Sequence, residues 1–501
     1  MVGLFVIVSI ACFVYYFCTR TLNFWRDNNV AGPKPVPFFG NLLESALRRK
    51  HIGVIYKEIY DAYPKEKVIG IYRMTSPTLI IRDLDIVKNI LIKDFDAFPE
   101  RGIAFSKERL GDNLFHCDSD TWRVLRKKFT PVFTSGKLKN VFQVINERGD
   151  QFIDYLENVT SKKHEQELHQ HFQKYTMSTI IAASFGLNFD LFNNDVGGII
   201  EKAGHYAFKS TFAAETDMLF PNIFKKINVS LYHHDVNRFS TEVVKMALQQ
   251  KKGIPSDRND AIDMMLTLRQ EGKIDAFKRH EHEKSVSMEF TEHLMAGQVF
   301  ILFIAGFGNN ALTLSYTFFH LAKYPEVQDK LLKEISDVLA KHDGKLTYDS
   351  LKEMTYLDQI FAEALRLNPL TNSVQRSAAR NYQIPGSDVV IKKGTTVIIS
   401  PYAIHRDESN FPDPDKFDPE RFAPENTGDR HPCSYIPFGA GPRSCIGRQL
   451  AKLQYAVAVV KVITKFKVEP STKTQKIEDY DPMRTLLATK GGIHVNFVPR
   501  N

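Results

Sequence analysis

Cys445 stands in the stretch FGAGPRSCIGRQLA (438–451), with Gly439, Gly441 and Gly447 around it, Arg443 two residues before it, and an apolar helical pattern (Leu450, Leu453, Val457, Val460) directly after. Glycines allow turns that a Cβ forbids and let backbone come close to a large rigid partner. The amides of a turn and of a helix start favour a sulfur anion. The stretch therefore presents a thiolate to something flat and close, and the rest of the chain must fold around that object. A cysteine taken alone is more often a small buried hydrophobe. Three further motifs, in order along the chain, argue against that here.

The run YLDQIFAEALRLNP places Glu363 and Arg366 on one helical face. Its apolar residues imply that this face is buried, where a carboxylate and a guanidinium must pair. FDPERF (417–422) carries Arg421, and WRVLR carries Trp122 and Arg126, whose indole N–H and guanidinium can reach one anionic group from one helix face.

Together these motifs resemble those of the cytochromes P450, over nearly the whole chain. The resemblance implies that Cys445 is the axial ligand of the iron of haem b, with Phe438, Arg443 and Gly447 in the ligand loop. It implies contacts to the haem propionates from Trp122, Arg126, Arg376 and Arg443, and from Arg101 by position. Glu363, Arg366 and Arg421 would form a structural charge clamp. A buried dianionic cofactor needs several such cations. The implied reaction inserts one atom of O2 into a hydrophobic organic substrate and reduces the other to water. Electrons would come from NADPH through NADPH–cytochrome P450 reductase, with cytochrome b5 as a second donor, and this chain shows no dinucleotide fingerprint of its own.

Met1 to Thr19 contains no charged side chain and is just long enough to cross a bilayer's hydrocarbon core. It lacks the basic start and small-residue cleavage site of a removed signal peptide. Arg20, Arg26 and Lys34 follow it, so the positive-inside rule places the remaining chain in the cytosol, on the endoplasmic reticulum by resemblance. Residues 1–19 are expected as the anchor, 20–40 as a linker with the proline-rich hinge GPKPVP, and 41–501 as one catalytic domain. Cys12 and Cys18 lie in the anchor, while Cys117, Cys433 and Cys445 lack disulfide or zinc spacing, as a reducing compartment predicts.

After the anchor, short extended runs (VIGIYRM, TLIIRD) give way to mostly helical patterning, predicting a mainly α fold with a small β region. Pro325 is expected to open a helix with Val327, Leu331, Ile335 and Val338 inward. The charge-dense stretch 271–284 is expected as a solvated loop, with His280 and His282 exposed. The net charge of +8 comes without a basic array or zinc-finger spacing, so nucleic acid is not an expected partner. Arg123, Lys127, Lys128, Lys137, Lys139, Arg448 and Lys452 flank the Trp122 and Cys445 motifs, where the family docks an acidic electron donor. Scattered solubility lysines are the competing explanation.

In QVFILFIAGFGNNALTLSYTFF (298–319), Ala305, Gly308 and Asn309 fall where the resemblance puts the oxygen site, and Gly308 and Asn309 replace the usual acid and threonine. Asn309 offers a donor and an acceptor, and Gly308 could let the helix open locally. This departure keeps a reductase-independent peroxide isomerase or dehydratase as an alternative, beside a non-catalytic carrier of haem or hydrophobic ligands. The stretches 122–139 and 384–408 look most like insect microsomal members allied to the vertebrate drug-metabolising type, which implies xenobiotics such as plant toxins or insecticides as substrates. Endogenous lipophilic compounds are the competing class. Phe105, Phe115, Phe212 and Phe220 are candidates for the pocket wall, with Phe303 and Phe307 nearer the iron.

Overall fold

The computed structural model describes residues 1–103, 110–192, 202, 216, 233–275, 287–474 and 476–500. The expected pocket residues Phe105, Phe212 and Phe220 lie outside the described residues, as do His280 and His282. The helices used below are α1 (Val2–Thr19), α2 (Ile52–Ala62), α3 (Ser119–Phe129), α4 (Ser135–Lys162), α5 (Leu168–Phe185), α6 (His234–Lys251), α7 (Ala261–Glu271), α8 (Glu292–Lys323), α9 (Pro325–Lys341), α10 (Thr355–Leu367) and α11 (Arg448–Lys465).

Four strands form the first sheet, β1 (Val68–Arg73), β2 (Ser76–Ile81), β4 (Val374–Ser377) and β5 (Thr396–Ile399), in the order β1-β2-β5-β4. β1 and β2 are a hairpin with Val68 opposite Ile81, and β2 runs parallel to β5 with Thr78 opposite Thr396. A second sheet joins β3 (Glu165–Glu167) to the terminal hairpin of β6 (Phe466–Pro470) and β7 (His494–Pro499). The larger apolar core lies among α3 to α11, and a smaller one covers the first sheet. The mainly helical expectation with small sheets holds.

α8 runs through the centre of the helical core, with 78% of its most apolar window buried, so its apolar length is explained by packing against α5 and α6. α1 is different: its mean hydropathy is 2.2, and Cys18 is its one buried residue. That fits a single membrane-spanning helix. Pro325 opens α9, and Val327, Leu331, Ile335 and Val338 are all buried.

The proline-rich segment is not a free spacer. The Trp25 indole N–H donates to the Ile71 carbonyl at 2.9 Å, Gly70 N–H donates to Ala31, and Asn41 bonds Tyr72 with both its backbone and its side chain. Hydrogen bonding to β1 therefore stiffens residues 25–41 beyond what proline alone supplies. The stretch 271–284 also differs from expectation at its start, where Lys273–Asp275 pairs as a strand with Ser287–Glu289.

Candidate active site

The cysteine loop is built by its glycines. Gly439 and Gly441 have φ of +69° and +71°, a region that costs other residues strain. A Cβ on Gly441 would lie 1.8 Å from the Leu91 carbonyl oxygen, so the close approach demanding glycine is to protein backbone. Gly447 has ordinary helical-side φ and caps the start of α11. The Cys445 amide donates to the Phe438 carbonyl at 2.9 Å, closing the loop.

Arginines grip this loop from both sides. Arg126, on α3, donates to the Ser444 carbonyl at 2.9 Å, and Arg101 donates to the Arg443 carbonyl at 3.4 Å. Arg443 Nε bonds the Pro99 carbonyl at 3.2 Å, and its guanidinium lies 4.1 Å from the centre of the Trp122 ring. Arg376, on β4, donates to its neighbour's carbonyl, that of Gln375, at 2.8 Å.

Burial and mutual repulsion make these cations costly. Burial, then Arg376 and Arg443, push the Arg101 pKa well below its usual value. Burial and Arg443 lower Arg376 to about 9, and burial lowers Arg443 to about 10. Both terminal nitrogens of Arg443, Nε of Arg376 and Nε of Arg101 have no hydrogen-bond partner among the described residues. Buried guanidinium groups in such an array call for an anion. Two propionates on one rigid cofactor would supply anions of the sign that the array calls for.

Cys445 has an exposed side chain, yet burial is the largest influence on its thiol and raises its pKa. Both hold if the sulfur borders an internal space rather than the outer surface. The Gly447 amide and the charges of Arg126, Arg101 and Arg448 favour the thiolate. On α8, Ile301, Ala305 and Asn309 recur every fourth residue and are at least partly exposed on a helix otherwise largely buried around them. Asn309 Nδ2 donates to the Ala305 carbonyl at 3.0 Å.

Three expectations change here. α8 is continuous from Glu292 to Lys323, so Gly308 opens no break, and Gly308 is itself buried. Phe303 and Phe307 do not line the Ala305 stripe; they pack against each other as tilted rings at 4.7 Å and, through Phe303, against Phe239 of α6 at 4.3 Å, inside the core. Of the basic flank, Arg123 pairs with Asp96, Lys128 with Glu271, Lys139 with Asp349 and Lys452 with Asp358, so its field is weaker than its cation count. Phe115 is 37% exposed and carries the Arg101 guanidinium 4.1 Å above its ring, beside the arginine array.

Glu363, Arg366 and Arg421 come together as expected. Glu363 and Arg366 are fully buried and doubly bonded at 2.6 and 2.8 Å. The other Arg366 donors reach the carbonyls of His405, Pro414 and Lys416. Glu363 also accepts from the Asp418 amide at 2.8 Å and lies 3.6 Å from Arg421 Nε. The clamp thus ties α10 to the segment leading into the cysteine loop.

Sequence reasoning missed Gln298, Asn310 and Gln454. Gln298, fully buried on α8, accepts from Leu114 N–H at 3.0 Å and donates to the Asp112 carbonyl at 2.8 Å, pinning the loop that carries Phe115. The available signal was an amide inside an apolar helical run, which burial obliges to find partners.

Comparison with known proteins identifies the family. The family model described as Cytochrome P450 matches residues 30–497. The chain is 47% identical to cytochrome P450 6B1 of Papilio polyxenes over 494 residues, covering 99% of each chain. It is 46% identical to cytochrome P450 6B2 of Helicoverpa armigera, covering 97% of this chain and 96% of that one, and 32% identical to cytochrome P450 6a2 of Drosophila melanogaster over 98% of each. The chain belongs to the cytochrome P450 family and is a haem-dependent monooxygenase of that family.

Proposed function

We propose that Cys445 ligates the iron of haem b and that Arg101, Arg126, Arg376 and Arg443, with Trp122, hold its propionates. The observation that carries this is the array of buried guanidinium groups gathered around the cysteine loop, with nitrogens left unbonded among the described residues. A thiolate-ligated haem, when bound, supplies dioxygen activation and O–O cleavage. The chain's own contribution is positional. Arg126 and Arg101 hold the loop carbonyls, the Gly447 amide favours the thiolate, and Ala305 leaves room beside the backbone of α8. Asn309 offers its Oδ1 to whatever lies next to α8, and Phe115 gives an apolar wall near the array.

The substrates we infer are hydrophobic xenobiotics such as plant toxins or insecticides, supported by the likeness to insect members of the family over the full chain. Endogenous lipophilic compounds are the competing class. Electrons come from NADPH through NADPH–cytochrome P450 reductase, with cytochrome b5 as a second donor. α1 anchors the protein in the endoplasmic reticulum with the catalytic domain on the cytosolic face, supported by Arg20, Arg26 and Lys34 just after the span.

The test is the reduced, carbon-monoxide-bound spectrum, which carries the red-shifted Soret band of thiolate ligation in the wild type and loses it in Cys445→Ala. Retention of the band in that variant overturns the assignment. A substrate-induced spectral screen of the purified protein then separates the two substrate classes. One observation favours a second reading, a reductase-independent peroxide isomerase: neither Gly308 nor Asn309 supplies an ionisable proton donor. Turnover of a hydroperoxide without reductase, and none with reductase and NADPH, decides for it.

A further inference from the structure

Asn310 and Gln454 are amides that are 4% and 2% exposed, facing each other between α8 and α11. Asn310 Nδ2 donates to Gln454 Oε1 at 2.6 Å and to the Ala451 carbonyl at 2.9 Å. Gln454 Nε2 donates to the Thr176 carbonyl at 3.1 Å and to the Thr179 hydroxyl, and the Tyr175 hydroxyl donates to the Gln454 carbonyl at 2.9 Å. One amide pair therefore joins α8, α11 and α5.

The places it joins are those that matter to the site. Asn310 follows Asn309, and Ala451 lies in the first turn of α11, directly after the cysteine loop. Aliphatic and aromatic contacts between helices are non-directional and tolerate small slips. Hydrogen bonds between buried amides are directional, and a slip along the helix axis leaves buried polar groups unpaired. Aliphatic residues at the two positions would fill the same space without desolvating an amide, so packing alone does not explain them.

We propose that Asn310 and Gln454 are a positioning pair that fixes the axial register of α8 against α11, and so the placement of Ala305 and Asn309 relative to Cys445. This rests on Cys445 being the iron ligand. The pair touches no reacting atom and acts through the helices it joins.

The experiment uses full-length, haem-loaded protein as wild type, Asn310→Leu, Gln454→Met and the double variant. Haem content and the reduced carbon-monoxide spectrum are measured first, then the dissociation constant of imidazole by Soret titration. We expect the thiolate band in all four proteins. Imidazole affinity should change by about threefold or more in each single variant, and the double variant should change no further than the larger single, as contacting residues do. Should Asn310→Leu fail to load, Gln454→Met, which keeps the Asn310 bond to Ala451, decides alone. A purely structural role would lower the melting temperature while leaving imidazole affinity at the wild-type value, and that result overturns the positioning role. Absence of the thiolate band from the wild type would instead overturn the Cys445 assignment.

Discussion

Asn309 Nδ2 donates to the carbonyl of Ala305 one helical turn back, at 3.0 Å, which occupies one of the amide's two N–H groups and turns Oδ1 away from that carbonyl. The opposite orientation would set oxygen against oxygen, so the hydrogen bond itself fixes which end is presented. A threonine hydroxyl there could rotate to donate or accept, whereas this amide is fixed by its bond to Ala305 and has no ionisable proton.

The first prediction follows from that orientation. With the proposed reductase and NADPH, wild-type turnover should be poorly coupled, releasing hydrogen peroxide, because Asn309 delivers no proton and the buried Gly308 carries no acid. Asn309→Thr should raise product formed per NADPH consumed while changing substrate affinity little, since protonation follows binding. Product and peroxide per NADPH are the measurements, and an unchanged ratio would show that protons reach the site by another route.

Gly439 and Gly441 share a positive φ but not a neighbourhood. A Cβ at Gly439 would be 4.0 Å from its nearest contact, so Gly439→Ala pays the backbone strain alone, about 1–2 kcal/mol. At Gly441 the same atom would sit 1.8 Å from the Leu91 carbonyl, and backbone on both sides must move. Gly441→Ala should therefore yield far less haem-loaded protein than Gly439→Ala at equal expression. Equal haem incorporation in the two variants would contradict the close approach to Leu91.

The contrast shows what the sequence could reveal. A glycine-framed cysteine is legible as a string, and so are Glu363, Arg366 and the paired runs of β1 and β2, because pairing and periodicity are local. Which backbone Gly441 must avoid is not, since Leu91 is distant in sequence and meets it only in the fold. Which face of α8 carries Phe303 and Phe307 is hidden from the sequence for a related reason. Aromatic residues on a central helix look alike from either face, and only the packing of Phe239 shows which face is core. The partial pairing of the basic flank depends on acids such as Asp349 and Glu271, supplied by segments remote in sequence.

Deleting Met1 to Thr19 should leave the haem spectrum intact and weaken membrane attachment. Only Cys18 of α1 is buried against the rest of the chain, whereas Trp25 and Ala31 are bonded to β1. A longer deletion through residue 32 should behave differently, because it removes the Trp25 indole from the smaller core and exposes apolar surface of the first sheet. Melting temperature and sedimentation with membranes are the measurements. A fall in melting temperature as large for the short deletion as for the long one would show that α1 itself supports the domain.

The clamp gives the sharpest stability prediction. Arg366 places all its donors on Glu363 and on the carbonyls of His405, Pro414 and Lys416, and both members of the ion pair are fully buried. An intact buried ion pair is weak evidence of net stabilisation, but removing one member leaves the other buried without its main counter-charge, at a cost of about 3–5 kcal/mol. Glu363→Ala leaves Arg366 buried with carbonyls as its nearest partners and Arg421 without the carboxylate 3.6 Å away. Arg366→Ala leaves the carboxylate with only the Asp418 amide and the more distant Arg421, and frees three carbonyls at once. Both should give little haem-loaded protein, and Arg421→Ala, which removes the longest and most exposed contact of the three, should give more. Haem content per protein and urea midpoints of whatever folds rank the variants. A well-loaded Glu363→Ala protein with a wild-type midpoint would show that α10 is held to the cysteine-loop segment by something other than this pair.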